Sequence, residues 1–345
     1  MRTVTQATCP ICASAGTTLY TELADGLYGA PGEWRLVRCS ASNCGALWLD
    51  PAPLADDLSE AYANYYTHSV SSDDPVGFRT NVRDAFAARV LGYETAHTIG
   101  ARLASWLYIT SPRRSEWALY KRFYLPWKSG GRLLEIGCGS GAQLALMARL
   151  GWDATGLDFD PRAIAAARSR GLNVSAGDVR SMAYSAASFD AIVMTHVIEH
   201  VVDPVGLLKE CRRILKPQGT LVLVTPNPSS LGHRIYGRAW RGLEPPRHLV
   251  IFPPEALRLA CAKAGIGVSR IIFSPRDAAN LFLSSERLSH VRPHEQIRRP
   301  DSSATPPLRL RILENIERIA CWLKRPSGEE QILIGHPLET DPTPG

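Results

Sequence analysis

From residue 131 onward, apolar residues come in short unbroken runs separated by stretches of helical periodicity. "RLLEI" reads as a buried strand that runs into "GCGSG" and then into the helix "AQLALMARL", ended by Gly151. "DATGLD" is a second strand, after which Asp160 and Pro161 supply an N-cap and a first-turn proline for the helix "RAIAAARSR", ended by Gly171. "LNVSAGD" and "FDAIVM" give a third and a fourth strand. A helix from about Pro204 to Leu215 leads through "KPQG" into a fifth, "TLVLVT". A helix over 255–264 precedes a sixth strand, "GVSRIIF", and "EEQILIGHP" forms a further strand late in the chain. Strands alternating with helices of this length predict an α/β fold, a seven-stranded Rossmann-like sheet with helices on both faces.

The preceding half reads differently. Residues 1–50 hold two close cysteine pairs, and residues 51–127 are helical, with thirteen aromatics between Tyr62 and Trp127, Tyr65 and Tyr66 among them. Aromatics at irregular helical spacing suit a packed core first and a helical lid second. The expected organisation is a small lobe at 1–50, a lid or linker at 51–127, and a sheet domain at 128–337. That domain carries a helical insertion at about 276–328, and residues 338–345 form a disordered tail.

Bulk composition narrows the class without naming a function. The 345 residues are 45% hydrophobic and 21% charged, which suits a globular protein with one sizeable core and accessory parts. The opening residues lack a secretory pattern and no apolar run is long enough for a membrane span, so the expected location is the cytoplasm. The net charge of +6 lies largely between Arg276 and Arg325, where a solvated accessory helix or loop is the simpler expectation than a nucleic-acid surface.

Cysteine placement adds a metal. Cys9 and Cys12 form a C-x2-C pair in "CPIC", and Cys39 and Cys44 a C-x4-C pair in "CSASNC". Two thiolate pairs on tight turns can close a tetrahedral structural zinc site, with an iron site or unpaired thiols as the alternatives. Four sulfur ligands leave no open position for water, so such a zinc staples the lobe and does no chemistry. Cys138, Cys211, Cys261 and Cys321 are scattered singly and read as buried thiols.

The glycine loop is the first feature with chemistry in it. Gly137, Gly139 and Gly141 let backbone turn tightly and approach a ligand closely, and Cys138 lies among them. Alone, the spacing also fits a dinucleotide fingerprint. Glu135 before the loop can attract a cation, Asp158 at the end of the second strand can accept from ribose hydroxyls, and Asp178 after the third can accept from an adenine amine. A ligand that is part nucleoside and part cation is S-adenosylmethionine, whereas a pyrophosphate would want cationic company.

"LLEIGCGSG", "GLDFDPRAIAAAR", "AGDVRSM", "SFDAIVMTHVIEHVVDP" and "LKPQGTLVLVTPN" together resemble a class I S-adenosylmethionine-dependent methyltransferase over roughly residues 125–275. The resemblance implies that Glu135, Gly137, Gly139 and Gly141 line the methionine and ribose side, with Cys138 and Thr195 beside them. It also implies that Asp158 takes the ribose hydroxyls, that Phe159 packs on the adenine, and that Asp178 with Val179 reads its edge. The last strand would be the antiparallel seventh of that fold. The four-cysteine lobe is looser in its likeness to zinc-containing sugar C-methyltransferases.

"THVIEH" (195–200) has the H-x-x-E-H spacing of zinc peptidases, but it directly follows a strand, and Pro204 leaves little room for the helix such a motif needs. It resembles the E-x-x-E-H stretch of ubiquinone-biosynthesis-type O-methyltransferases with His196 in place of the first acid. That family's link to divalent metal would make His196, Glu199 and His200 ligands, although nitrogen for oxygen does not suit magnesium. A general base is the other role, with His200 the first candidate, His196 the second and His248, in "RGLEPPRHLVIF", the rival. Hydrogen bonding that merely fixes the loop is the plain alternative. Tyr236 and Trp240 could wall an acceptor site or simply pack.

The expected activity is methyl transfer from S-adenosylmethionine to a small-molecule acceptor, most directly a hydroxyl, with carbon and nitrogen acceptors open. An RNA methyltransferase is the first alternative, but the N/D-P-P-Y/F motif of base amine methylation is replaced here by "THVIEH". A non-catalytic S-adenosylmethionine-binding protein is the second, against which the intact glycine loop and paired acids argue.

Overall fold

The computed structural model describes residues 1–62, 77–94, 98–108, 111–290 and 305–339. Tyr65 and Tyr66, residues 291–304 of the expected insertion and residues 340–345 of the expected tail lie outside the described residues.

The chain opens with five strands: β1 (Thr3–Val4), β2 (Gly16–Leu23), β3 (Trp34–Cys39), β4 (Leu47–Leu49) and β5 (Ala52–Pro53). Four helices follow, α1 (Leu58–Ala61), α2 (Phe78–Leu91), α3 (Ile99–Ala104) and α4 (Pro112–Tyr120). Then β6 (Arg132–Ile136), α5 (Ala142–Arg149), β7 (Asp153–Asp158), α6 (Pro161–Ser169), β8 (Asn173–Ala176) and β9 (Phe189–Thr195) alternate. After α7 (Pro204–Ile214) and β10 (Leu215–Pro226) come α8 (Leu231–Tyr236), β11 (Val250–Ile251), α9 (Pro254–Lys263) and β12 (Ile266–Ser274). The series ends with α10 (Ala278–Ser289), α11 (Leu308–Trp322) and β13 (Glu330–Pro337).

Seven strands make the main sheet in the order β12-β13-β10-β9-β6-β7-β8. β6 runs parallel to both β7 and β9, and β7 parallel to β8. The α/β expectation therefore holds, with the late strand β13 inserted between the fifth and sixth strands of the series. Burial follows from pattern: Leu133, Leu134, Ala191, Ile192 and Val193 are fully buried, as continuous apolar runs require in a sheet covered on both faces. Asp160 caps α6, accepting from Arg162 N at 2.8 Å.

"KPQG" continues β10 instead of connecting into it. Pro217 has a fixed φ that suits extended backbone, and Asp190 holds Lys216 Nζ at 2.8 Å, which fixes this early part of the strand.

The chain divides into two compact units. One comprises 1–66, 196–209 and 223–333; the other 67–195, 210–222 and 334–345. In the first unit, β11 pairs with β4 to complete a four-stranded sheet of order β11-β4-β3-β2. The N-terminal lobe is thus finished by two residues from far along the chain. In the second unit, aromatics of α2 and of the segment after it pack as core: Phe86, Tyr93, Tyr120 and Phe123 are buried, and Tyr93 Oη donates to Leu125 O at 3.2 Å. Among the described residues no helix is long and apolar enough to cross a membrane.

Candidate functional site

In the second unit, β6 delivers the chain into the glycine loop, which is tied to β7 by Gly137 N and Cys138 N donating to Leu157 O at 2.8 and 3.0 Å. Asp158 closes the loop from β7: its Oδ2 accepts from Gly139 N at 2.8 Å and its Oδ1 from Asp160 N at 2.9 Å. A carboxylate has about four lone-pair sites, so this one keeps acceptor capacity for hydroxyls. Gly139 has φ +52°, and a Cβ there would meet nothing within 4 Å, whereas a Cβ on Gly141 would sit 2.3 Å from Leu172 Cδ1. Both glycines have left-handed backbone, φ +52° at Gly139 and +76° at Gly141; Gly141 also packs closely on Leu172, whereas Gly139 faces open space.

Glu135 is buried, its Oε2 has no hydrogen-bond partner among the described residues, and burial together with the charge of Asp158 pushes its pKa up to about 8. Thr195 Oγ1, at the end of β9, is a second buried and unpartnered polar atom. Phe159, next to Asp158, is 63% exposed. Val179 is buried, and Asp178 is already engaged by Arg180 Nη2 at 2.6 Å and Nε at 3.0 Å, which with burial opposing holds its pKa below the ordinary value. An adenine amine would have to share that carboxylate with Arg180. Cys138 is buried, and burial with the charges of Glu135 and Asp158 pushes its thiol up, away from nucleophilic chemistry. Orphaned acceptors, an acid at the loop and an exposed ring suit a ligand with hydroxyls, an aromatic base and positive charge.

In the first unit the "THVIEH" loop forms a 3₁₀ turn at Ile198–His200, and α7 begins only at Pro204, so the two histidines share no α-helix. His196 takes φ +53°, a strained setting for a non-glycine residue. Its Nδ1 lies 3.2 Å from Glu199 Oε1 and its Nε2 3.0 Å from Glu330 Oε1. Burial alone would lower its pKa, but the two hydrogen bonds and the two negative charges raise it to about 10. A cation with both nitrogens donating has no lone pair to receive a proton. Glu199 is fully buried and also accepts from Thr225 Oγ1 at 3.0 Å; against the effect of burial, His196 brings its pKa to about 2.

His200 is arranged otherwise. Its Nδ1 lies 2.9 Å from Arg247 O and 3.0 Å from Tyr62 Oη. A carbonyl can only accept, so Nδ1 carries the proton and Nε2 presents a lone pair. His248 repeats this pattern with Nδ1 at 2.8 Å from Gly242 O, but it is buried and burial lowers its pKa to about 4. The donor atoms of Glu199, His200 and His248 all lie within 4.8 Å of one another.

Around them lies a cavity of about 210 Å³ lined by His196, His200, Pro226, Trp240, Arg241, Glu244, His248, Leu281, Glu329 and Glu330. Arg247, fully buried beneath it, holds Glu244 Oε1 through Nε and Asp25 Oδ2 through Nη1, each at 2.8 Å. Glu329 accepts from Trp240 Nε1 and Gly232 N, both at 2.7 Å, and burial raises its pKa. Trp240 therefore lines the cavity, while Tyr236 packs on Phe282 in the α8–α10–α11 core.

Glu329, Glu330, Asp25 and Tyr62 escaped the sequence reading as site residues. The paired acids opening an otherwise apolar final strand were the visible signal, since charge at a buried strand start demands a partner. Nothing local marks Asp25, whose partner is 222 residues away.

The four N-terminal thiols converge. Cys9 Sγ lies 3.7 Å from Cys44 Sγ, Cys12 Sγ 3.3 Å from Cys39 Sγ, and all four sulfurs fall within 4.8 Å of one another. Four sulfurs at about 2.3 Å from a tetrahedral zinc stand about 3.8 Å apart. Burial pushes Cys9 up to about 11, whereas Cys12 is brought, against burial, down to about 6 by hydrogen bonds from Ser14 and its neighbouring thiols.

The sheet order, with the glycine loop at the end of β6, defines a Rossmann-like α/β domain. Residues 110–269 match the family model described as a methyltransferase domain. Over 141 residues the chain is 39% identical to the ubiquinone biosynthesis O-methyltransferase of Cereibacter sphaeroides, covering 39% of this chain and 57% of that protein. Over 106 residues it is 41% identical to the enzyme of the same name from Xanthomonas oryzae pv. oryzae, covering 29% of this chain and 44% of that one. The chain spans about half the length of the curated relatives it matches. Among solved structures, a SAM-dependent methyltransferase from Archaeoglobus fulgidus superposes with a TM-score of 0.44 at 22% identity, covering 68% of this chain and 99% of that one. Residues 110–269 thus carry a methyltransferase domain.

Proposed function

We propose that this protein moves a methyl group from S-adenosylmethionine to a hydroxyl of a small-molecule acceptor, with His200 Nε2 as the general base. The observation that carries this reading is the fixed tautomer of His200: Nδ1 is committed to Arg247 O, which leaves Nε2 as an acceptor on the wall of the cavity. S-adenosylmethionine, when bound, supplies a methyl carbon made electrophilic by its sulfonium. That methyl would pass to the acceptor oxygen with the carbon–sulfur electron pair left on sulfur, and the part of His200 Nε2 would be to take the hydroxyl proton. His196 cannot share this duty, because both of its nitrogens donate to carboxylates. Its part is to hold the loop against β13 through Glu330.

The cofactor residues in this reading are Gly137, Gly139, Gly141 and Cys138 on the loop, Glu135 and Thr195 beneath it, and Asp158, Phe159, Asp178 and Val179 along the nucleoside. The oxygens of Glu135 and Thr195, buried and unpartnered among the described residues, support it. The four-cysteine lobe holds structural zinc, supported by the close approach of its sulfurs. Reduced thiols of this kind suit the cytoplasm.

A second reading rests on one observation, the approach of Glu199, His200 and His248 within 4.8 Å. With each Nδ1 proton on a carbonyl, two Nε2 lone pairs and a carboxylate could hold a borderline divalent metal, and an acceptor oxygen would then be activated by that ion.

Isotopically labelled S-adenosylmethionine incubated with cell extract, followed by mass spectrometry of the small-molecule fraction, tests the main reading. A labelled methyl ether is expected; label entering RNA alone would end it. Elemental analysis of protein lacking Cys9 and Cys12 separates the two readings, since metal retained there belongs to the histidine cluster.

A further inference from the structure

Helix α11 is built inside out. Its buried residues are Leu310, Glu314 and Glu317, while Leu308, Ile312, Ile316, Ile319, Trp322 and Leu323 are between 51% and 77% exposed. At about 100° per residue, Leu308, Ile312, Ile316, Ile319 and Leu323 fall within an arc of about 80° on the side opposite the buried residues. Trp322 borders that arc. A solvated helix would carry charge there; this one presents an apolar stripe about 22 Å long.

The charges around the stripe have one sign. Arg309 and Arg311 flank its first turn, and Lys324 and Arg325 follow its last. The acids of α11, Glu314 and Glu317, are buried on the far side, where Glu317 Oε1 accepts from Leu231 N at 3.1 Å. Arg318 pairs with Glu314 at 2.9 Å and Arg309 with Glu286 at 2.8 Å, so the cationic margins of the apolar face rest on the exposed Arg311, Lys324 and Arg325.

We infer that α11 is a docking face for an anionic lipid surface, lying in the interface with its stripe against the acyl boundary and its arginines and lysines on the headgroups. Charge decides among occupants. A second copy of this face would bring its cationic margins against their like. A nucleic acid would reward the arginines but gain nothing from six exposed apolar side chains. A bilayer bearing anionic headgroups satisfies both features, and an amphipathic helix of this length with basic margins has the binding mode of interfacial helices. The helix is too short and too mixed to span.

Vesicle flotation of the full chain tests the inference, using phosphatidylcholine vesicles with and without phosphatidylglycerol. The wild type is expected to float with the anionic vesicles, to stay behind with the neutral ones, and to be released by raised salt. I316E/I319E should weaken flotation by about tenfold or more, and R311E/K324E should weaken it while leaving the stripe intact. All four side chains are exposed, so matched thermal midpoints confirm that the variants fold. Absence of flotation, or equal flotation of wild type and both variants, would overturn the inference. So would a solution dimer split by I316E/I319E with no vesicle binding, or retention on RNA alone. None of these readouts uses methyl transfer, so their failure is separate from failure of the proposed activity.

Discussion

His196 Nε2 stands 3.0 Å from Glu330 Oε1, joining a strained loop residue to the start of a strand 134 positions later. With Glu199 on the other nitrogen, the imidazole is a cation held between two carboxylates. A raised pKa makes its stabilisation complete below the ordinary value of 6.5 and lost as pH rises to about 10. The thermal midpoint of the wild type should therefore fall between about pH 6.5 and 10. H196Q should lose that slope; equal slopes in the two proteins would contradict the pairing.

His200→Asn should lower kcat by about 10²–10⁴-fold while leaving S-adenosylmethionine affinity within about twofold. Binding is read by calorimetry and turnover by product formation. A proportional loss of both would assign His200 a structural part only.

The two inner glycines should separate. Gly141→Ala forces a methyl to within 2.3 Å of Leu172 Cδ1 and should cost fold stability, whereas Gly139→Ala meets no protein atom within 4 Å. G139A should stay folded, at a cost of about 1–2 kcal/mol for its left-handed backbone, and lose affinity for S-adenosylmethionine by about tenfold or more. Unchanged cofactor binding in G139A would remove the loop from the ligand site.

Removing the zinc proposed for the lobe should lower the thermal midpoint, and C12S or C39S should abolish one equivalent of bound zinc in elemental analysis. Cys138→Ser, distant in role, should keep it. Zinc retained in both lobe variants would rule the cluster out.

Arg247→Met leaves Asp25 and Glu244 as buried acids without their shared cation, a change that typically costs about 3–5 kcal/mol. Denaturant titration reads it directly. A loss below about 1 kcal/mol would show that the acids find other partners.

What the sequence displayed well was whatever repeats locally. The series from β6 to β10, the cap at Asp160 and the break between Thr195 and Pro204 all follow from periodicity and turn chemistry, and the structure follows them. The glycine loop was legible because three glycines after an apolar strand serve few purposes. Long-range pairing was not legible. Arg247 reads as one more polar residue until Asp25 and Glu244 surround it, and the acids of Glu329 and Glu330 acquire meaning only beside Trp240 and His196. On α11 the pattern was visible but its sense was not. Amphipathicity says that a helix has two faces, and burying Glu314 and Glu317 inverts which one is solvent-facing.

The pairing of Val250 with Trp48 has a consequence for synthesis. β2, β3 and β4 leave the ribosome while their edge partner is still roughly two hundred residues from being translated, so the nascent lobe carries an open strand edge throughout that interval. The lobe is thus completed late, and its exposure on the ribosome ends only when the segment bearing His248 has emerged.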